Sequence, residues 1–194
     1  MHFQRVRVEF INMNLSSAQY HLCHLNIGPA RAPLTDPQMS GFVAKLDEIN
    51  QLAYQSPGFV WHLKIDINNP EDLAMYGEPG WLFNLSVWES VEALSQYVYH
   101  SGHLKVMQMR SQWFQKMDAP NYVLWWLPVD QLPTLEEAKI RLAHLTANGP
   151  TPYAFSFKEP FPPPSQVESN NEGMTFSDNP QVAITESDLQ SPAP

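Results

Sequence analysis

The chain has 194 residues, of which 43% are hydrophobic and 12% aromatic, and it carries a formal net charge of −9. This length suits one domain with a sizeable core, and the acidic balance excludes the basic surface typical of proteins that bind nucleic acids or anionic membranes. No apolar run reaches the ~20 residues of a membrane-spanning helix. The single cysteine, Cys23, cannot form an internal disulfide. A reducing compartment is therefore favoured, and we predict a cytoplasmic protein.

The first elements predicted along the chain are a strand, a helix and a second strand. Residues 20–27 alternate between two faces, as a half-buried strand does. Asp36 and Pro37 form the capping residue and the first-turn proline of an amphipathic helix that runs to about Gln55. Residues 59–66 alternate again and predict the second strand.

A third strand and a broken helix follow. Residues 81–88 alternate between an apolar and a more polar face, and Ser90 is a suitable N-cap for the next helix. Glycine weakens a helix by about 1 kcal/mol relative to alanine. We therefore expect Ser101 and Gly102 to divide this helix into two segments.

The last predicted elements are a buried strand, a further helix and an extended arm. Residues 121–127 are apolar on both faces, which indicates burial on both sides. Thr134 begins a capping box, and Gly149 ends the helix that follows it. Aromatic residues alternate with polar ones in residues 153–161, so we expect this arm to dock on the domain.

The order β-α-β-β-α-β predicts the fold class. It is typical of the ferredoxin-like α+β fold, a four-stranded antiparallel sheet with both helices on one face, here followed by a C-terminal helix and arm. We place this domain at residues 19–161, after an N-terminal extension of residues 1–18. Residues 162–194 form an acidic tail rich in Pro, Ser and Asn, and we predict that it is disordered because it has too few apolar residues to offset the entropy of ordering.

The alternation of the strands also predicts the partners of each sheet face. We assign the more apolar face, with Phe83, Leu85 and Val87 on the third strand, to the two helices. The opposite face would then expose the large side chains Tyr20, Leu22, Val60, Leu82, Trp88 and Trp125. A soluble monomer seldom exposes so much apolar surface, so we predict a homodimer whose two sheets pack together as a barrel.

Several motifs resemble a known family. The segments NLSVWES (84–90), VYHSGH (98–103) and YVLWWLP (122–128) look like the domain of unknown function 3291 family of bacterial and fungal proteins, and the similarity covers roughly residues 20–161. The resemblance implies a dimeric α+β barrel and a homodimer, without an established activity. More distantly, the strand that ends in VWES before a helix is similar to antibiotic-biosynthesis monooxygenases, in a superfamily that also holds haem-degrading oxygenases and lactone isomerases.

Hydrogen-bonding side chains collect on the face opposite the apolar one. A few polar groups among aromatic walls are typical of a small-molecule site, so we predict that a hydrophobic or aromatic ligand binds there. The alternative is a satisfied polar cluster without a ligand. The residues concerned are His24, Asn26, His62, Asn84, Ser86 and Trp88.

A second group of candidates lies at the helix break. His100 and His103 are three residues apart, and Arg110, a further substrate-binding candidate, continues their face. An imidazole titrates near neutral pH and can act as a general base; alternatively, the pair satisfies carbonyl groups freed by the break. Zinc requires three or four protein ligands, so two histidines alone predict no metal site.

The resemblance adds two expectations about chemistry. The haem-degrading relatives use an asparagine, a tryptophan and a histidine; Asn26 matches the first, but Tyr97 and Met107 stand at the other two positions, so we predict no haem and no other cofactor. Cofactor-free oxygenases of the superfamily use pockets of Asn, Trp and Tyr or His groups. This chain supplies such residues at Asn26, Asn84, Trp88, Tyr99 and His103.

Two functions therefore remain open on the sequence. The first is a monooxygenase- or isomerase-like enzyme that acts on a hydrophobic or aromatic metabolite, with catalytic candidates His103, Asn84, His100 and Tyr99. The second is a non-catalytic homodimer with a structural or ligand-carrying role.

Overall fold

The computed structural model describes residues 19–65, 69 and 80–164. The predicted N-terminal extension, nearly all of the predicted tail and the last residue of the second predicted strand lie outside the described residues. Within them are the strands β1 (Tyr20–Pro29), β2 (Phe59–His62), β3 (Trp81–Trp88) and β4 (Tyr122–Pro128). The helices are α1 (Ser40–Gln55), α2 (Val91–His100), α3 (His103–Gln108) and α4 (Leu135–Asn148).

The strands form one antiparallel sheet in the order β2-β3-β1-β4. This order, with α1 between β1 and β2 and α2 between β3 and β4, is the ferredoxin-like arrangement that the sequence predicts. The central pair is β1 and β3, in a register that places His24 opposite Ser86 and Asn26 opposite Asn84. Polar residues that are 62 and 58 positions apart in the chain thus become neighbours on one face.

Side-chain caps set the starts of α2 and α4 where the sequence predicts them, whereas α1 begins at Ser40, after a 3-10 turn, rather than at the predicted Pro37. The Asp36 carboxylate accepts from the backbone N–H of Gln38 at 2.8 Å and caps a 3-10 turn that leads into α1. Ser90 caps α2 and Thr134 caps α4, each accepting a backbone N–H at 3.1 Å. The predicted break at Ser101 and Gly102 is confirmed, because α2 ends at His100 and α3 begins at His103.

The assignment of the sheet faces is wrong. Helices α1 and α2 pack on the face that carries Leu22, Trp88 and Leu124. The more apolar face, with Leu25 and Val87, packs against α4 instead. Alternation predicts which residues share a face but not which helix covers it, and the appended helix α4 supplies a cover for the apolar side.

The basis of the homodimer prediction changes with this correction. Of the residues expected on an open face, Leu22, Trp88 and Trp125 are buried within a single chain, each at most 1% exposed. Trp125 also pairs with Cys23 rather than with Leu22, so it lies on the α4 side of the sheet. The homodimer itself stays a prediction.

The aromatic arm after α4 docks as predicted. Phe155 and Leu124 exchange two backbone hydrogen bonds of 2.9 Å, so the arm pairs with the outer edge of β4. The Phe155 ring is fully buried, and the indole N–H of Trp126 donates to the carbonyl oxygen of Phe161 at 2.8 Å. The arm therefore protects an edge that would otherwise expose unpaired backbone groups.

Two glycines with positive φ allow a matched test of close packing. Gly58 (φ 79°) lies where an added Cβ would come within 2.6 Å of the Cβ of Ala93, whereas a Cβ on Gly149 (φ 75°) would meet nothing within 4 Å. Positive φ costs each alanine variant about 1–3 kcal/mol of backbone strain. We expect Gly58→Ala to lose about 1–3 kcal/mol more through the clash. Urea unfolding measures both values, and equal losses would contradict the close contact.

Candidate functional site

A cavity of about 460 Å³ lies between the sheet and the helices α1, α2 and α3. Such a volume is typical of pockets that bind small molecules. The polar face of the sheet forms its floor, a stripe of α1 forms one wall, and the helix break with α3 forms another. The arm contributes Phe157.

The floor of the cavity carries polar groups from the two central strands. His24 and Asn26 of β1 and Asn84 of β3 line it, while Ser86 lies behind His24 and is only 5% exposed. The amide of Asn26 donates to the backbone oxygen of Asn121 at 3.4 Å. The cavity is otherwise lined mainly by apolar and aromatic groups, so these few polar atoms would orient a ligand.

The imidazole of His24 is held neutral and in one tautomer. The Ser86 hydroxyl oxygen accepts from the indole N–H of Trp88 at 3.1 Å and lies 3.4 Å from His24 Nδ1. Since the buried hydroxyl proton then has His24 Nδ1 as its acceptor, we assign the one N-bound proton of the neutral ring to Nε2. Burial, aided by the nearby His103, lowers the pKa of His24 to about 3. His24 is therefore a hydrogen-bond donor without charge at neutral pH.

His103 has the complementary tautomer. Its Nδ1 lies 3.3 Å from the backbone oxygen of Val98, an atom that can only accept, so Nδ1 carries the proton and Nε2 has a free lone pair. Burial lowers the pKa of His103, and the bond to Val98 partly opposes this effect. At neutral pH the ring is thus an uncharged proton acceptor on the cavity wall.

The helix break and a stack of aromatic rings position His103. Its backbone N–H donates to the Ser101 hydroxyl at 3.1 Å, and that hydroxyl donates to the carbonyl of Tyr97. The Tyr97 ring lies 4.8 Å from the imidazole of His103 and stacks on Trp88 at 4.9 Å. Trp88 in turn donates to Ser86, which contacts His24, so Tyr97, Trp88 and Ser86 connect His103 with His24.

Tyrosines complete the wall near the arm. The Tyr99 ring meets Phe157 edge-on at 5.3 Å, and the Tyr122 hydroxyl accepts from the backbone N–H of Phe157 at 3.3 Å. Burial, with a contribution from Tyr122, raises the pKa of Tyr99. Tyr99 is thus a neutral donor at physiological pH.

The structure brings together most of the side chains that the sequence singles out, but not all of them. His24, Asn26, Asn84, Tyr99, His103 and Arg110 line the cavity. His100 is exposed outside it, because α2 turns that residue away from the sheet. His62 lies on the edge strand β2, where its Nε2 is 2.6 Å from the Tyr54 hydroxyl. Trp88 and Ser86 are buried behind the lining and act only through Tyr97 and His24.

Other lining residues were not foreseen as site residues. Lys45 belongs to the stripe of α1 that contacts the cavity, and its period with Phe42 and Ile49 is readable in the sequence. For Phe157 the sequence predicted only that the arm docks on the domain, and nothing in its local sequence indicates that it lines the cavity.

Metal ligands do not cluster at this site. Within residues 19–65, 69 and 80–164, no group of three or more His, Cys, Asp or Glu side chains is placed to hold a metal ion. Cys23 lies on the opposite face of the sheet and is a core residue. Its burial raises the pKa of the thiol. Nor is any helix in that part of the chain both long and apolar enough to cross a membrane.

The fold and the site define a ferredoxin-like α+β domain with a ligand-sized cavity between sheet and helices. The chain belongs to the family described as Domain of unknown function (DUF3291), whose model matches residues 21–171. The resemblance seen in the sequence is thus confirmed. No curated protein matches the chain.

Solved structures with a similar fold include a protein of unknown function from Nitrosomonas europaea (13% identity, TM-score 0.42), which the match covers over 97% of its length and 60% of this chain. SnoaB, a cofactor-independent oxygenase from Streptomyces nogalater, matches at 16% identity and a TM-score of 0.40, over 98% of its length and 59% of this chain. A putative antibiotic biosynthesis monooxygenase from Chloroflexus aurantiacus J-10-fl matches at 14% identity and a TM-score of 0.37, over 98% of its length and 59% of this chain.

Proposed function

We propose that the cavity is the active site of an enzyme that removes a proton from a hydrophobic, enolisable or phenolic small molecule. The observation that carries the proposal is the pair of complementary imidazoles: an acceptor at His103 Nε2 and a donor at His24 Nε2–H, both neutral and both lining one cavity. A general base needs a free lone pair near the substrate, and the anion that forms needs a fixed donor.

In this mechanism His103 takes the proton and the substrate becomes an enolate or phenolate. His24 donates a hydrogen bond to the developing oxyanion, and the amides of Asn26 and Asn84 provide further donors on the same floor. A neutral imidazole suits this task because it donates without losing its own proton. The Ser86 hydroxyl donates to His24 Nδ1, so the proton that His24 can donate is on Nε2.

Two outcomes of the anion are compatible with this first step. Return of the proton from His103 to another carbon gives an isomerase. Alternatively, the carbanion transfers electrons to molecular oxygen and its carbon bonds to it, and the resulting peroxide anion takes the proton from His103. Loss of the remaining hydrogen of that carbon with cleavage of the O–O bond releases water and leaves a carbonyl group, which gives a monooxygenase. The alternative function is a non-catalytic carrier that holds the same ligand in the cavity.

Deuterium exchange separates the enzyme from the carrier. β-Tetralone, a bicyclic ketone with acidic C–H bonds, is incubated with the protein in heavy water and the exchange is followed by NMR. We expect exchange well above the buffer rate, and His103→Gln should reduce the protein-dependent rate by about 10²–10⁴-fold through loss of the base. Oxygen uptake in the same samples distinguishes the monooxygenase from the isomerase.

The matched control is His100→Gln, because His100 has the same chemistry but lies outside the cavity. This variant should exchange at the wild-type rate. If His103→Gln also kept the wild-type rate, His103 would not be the base. Binding of β-tetralone without faster exchange would favour the carrier.

A further inference from the structure

The charges around the cavity suggest what kind of ligand it takes. Two cationic side chains, Lys45 on α1 and Arg110 after α3, belong to the lining, and no Asp or Glu does among the described residues. His24 and His103 add no charge at neutral pH, since burial lowers both pKa values. The described lining of this cavity is therefore positively charged, although the chain has a formal net charge of −9.

The Arg110 guanidinium is held in place by a neutral partner. With the Asn121 amide oriented by its hydrogen bonds, its oxygen accepts from Arg110 Nη2 at 2.9 Å and from Nη1 at 3.1 Å. The Asn121 backbone is itself fixed, because its carbonyl accepts from the backbone N–H of Ile27 at 2.8 Å. The ion pairs of the described residues involve other cations, so the charge of Arg110 is positioned but not neutralised.

Lys45 is only weakly compensated. Its ammonium lies 3.7 Å from the carboxylate of Glu48, whose side chain is 69% exposed and outside the cavity lining. An exposed pair of this kind contributes little and readily exchanges partners. A negatively charged ligand group can therefore compete with Glu48 for Lys45.

From these contacts we infer that the ligand of this cavity is a hydrophobic molecule that carries an anionic group, such as a carboxylate. The anionic group lies against Arg110 and Lys45, and the apolar body extends over the cavity floor toward His24 and His103. This inference rests on the proposed function, because it names the substrate class of the same site. Beyond the proposed function, the inference states that ligand affinity depends on attraction between an anionic group and these two cations.

Two fluorescent dyes with the same ring system test the inference. Anilinonaphthalene sulfonate is anionic and phenylnaphthylamine is neutral, and excess β-tetralone should displace both from the cavity. We expect Arg110→Gln to weaken binding of the anionic dye about tenfold and that of the neutral dye less than twofold. Lys45→Gln should act in the same direction, and added salt should weaken only the anionic dye.

Lys105→Gln is the control, since Lys105 is an exposed cation of α3 that does not line the cavity. It should change neither affinity. If Arg110→Gln weakened binding of both dyes equally, or of neither, the inference would be overturned. The proton-transfer proposal would not be affected. If β-tetralone displaces the dyes and charge selectivity is retained, but β-tetralone does not exchange, the ligand class is supported and the proton-transfer proposal is contradicted.

Discussion

Replacing Phe155 by alanine is expected to destabilise the domain by about 3–5 kcal/mol, the usual cost of emptying a fully buried aromatic site. Its ring is 0% exposed and packs near Trp126 and Phe161, at centroid distances of 6.5 and 5.9 Å. The loss should appear as a lower midpoint in urea with an unchanged slope, because the variant keeps the same fold.

Ile140→Ala is the matched control, since Ile140 is 59% exposed on α4. Surface substitutions of this kind usually change stability by no more than about 0.5 kcal/mol. A loss below about 1 kcal/mol in Phe155→Ala would mean that the arm is not a structural part of the domain. The expected result would instead define the arm as an integral part of the domain core.

Acidification is expected to destabilise the protein through His24. The unfolded imidazole titrates near pH 6.5, whereas the pKa in the folded state is about 3. Between pH 3 and pH 6.5, His24 binds a proton in the unfolded chain but not in the folded protein. The stabilising contribution is complete above about pH 6.5 and is lost as the pH falls toward 3, at about 1.4 kcal/mol per pH unit.

Urea unfolding between pH 7.5 and 4.5 measures this slope. His62 and His103, whose pKa values burial also lowers, add to the slope in the wild-type protein. We therefore expect His24→Gln to flatten the slope by about 1.4 kcal/mol per pH unit rather than to abolish it. Ile140→Ala, which removes no titratable group and is 59% exposed, should leave the slope as it is. An unchanged slope in His24→Gln would show that His24 is hydrated in the folded protein.

Local sequence rules were sufficient for the elements and for several of their ends, although β2 ends at His62, before the predicted residues 63–65, and α1 begins at Ser40 after a 3-10 turn. Asp36, Ser90 and Thr134 cap helices because a short side chain can accept a backbone N–H in each first turn. Ser101 and Gly102 interrupt a helix for an equally local reason. The fold followed from the order of these elements, since the β-α-β-β-α-β order constrains the sheet to one common topology.

The candidate site was only partly predictable. The period of a strand places His24 and Asn26 on one face, and that of a helix aligns His103 with Arg110. The same reasoning did not separate His103 from His100, because three residues of helix turn a side chain by 300°, which leaves the two near one stripe. Only the break after His100 and the bond from His103 to Val98 decide which imidazole faces the cavity.

By itself, the sequence determined which side chains share a face of β1, β3 and β4 and where α2 and α4 begin, because both depend on neighbours a few residues away. Alternation did not predict the irregular register of β2, which separates Phe59 from Trp61. The tertiary structure alone decided that the polar face lies beneath α1 and α2 and the apolar face beneath α4. Burial of apolar surface is non-directional and does not specify which helix provides it. Since α4 covers the apolar side, the polar side chains opposite it enclose a cavity together with the helices.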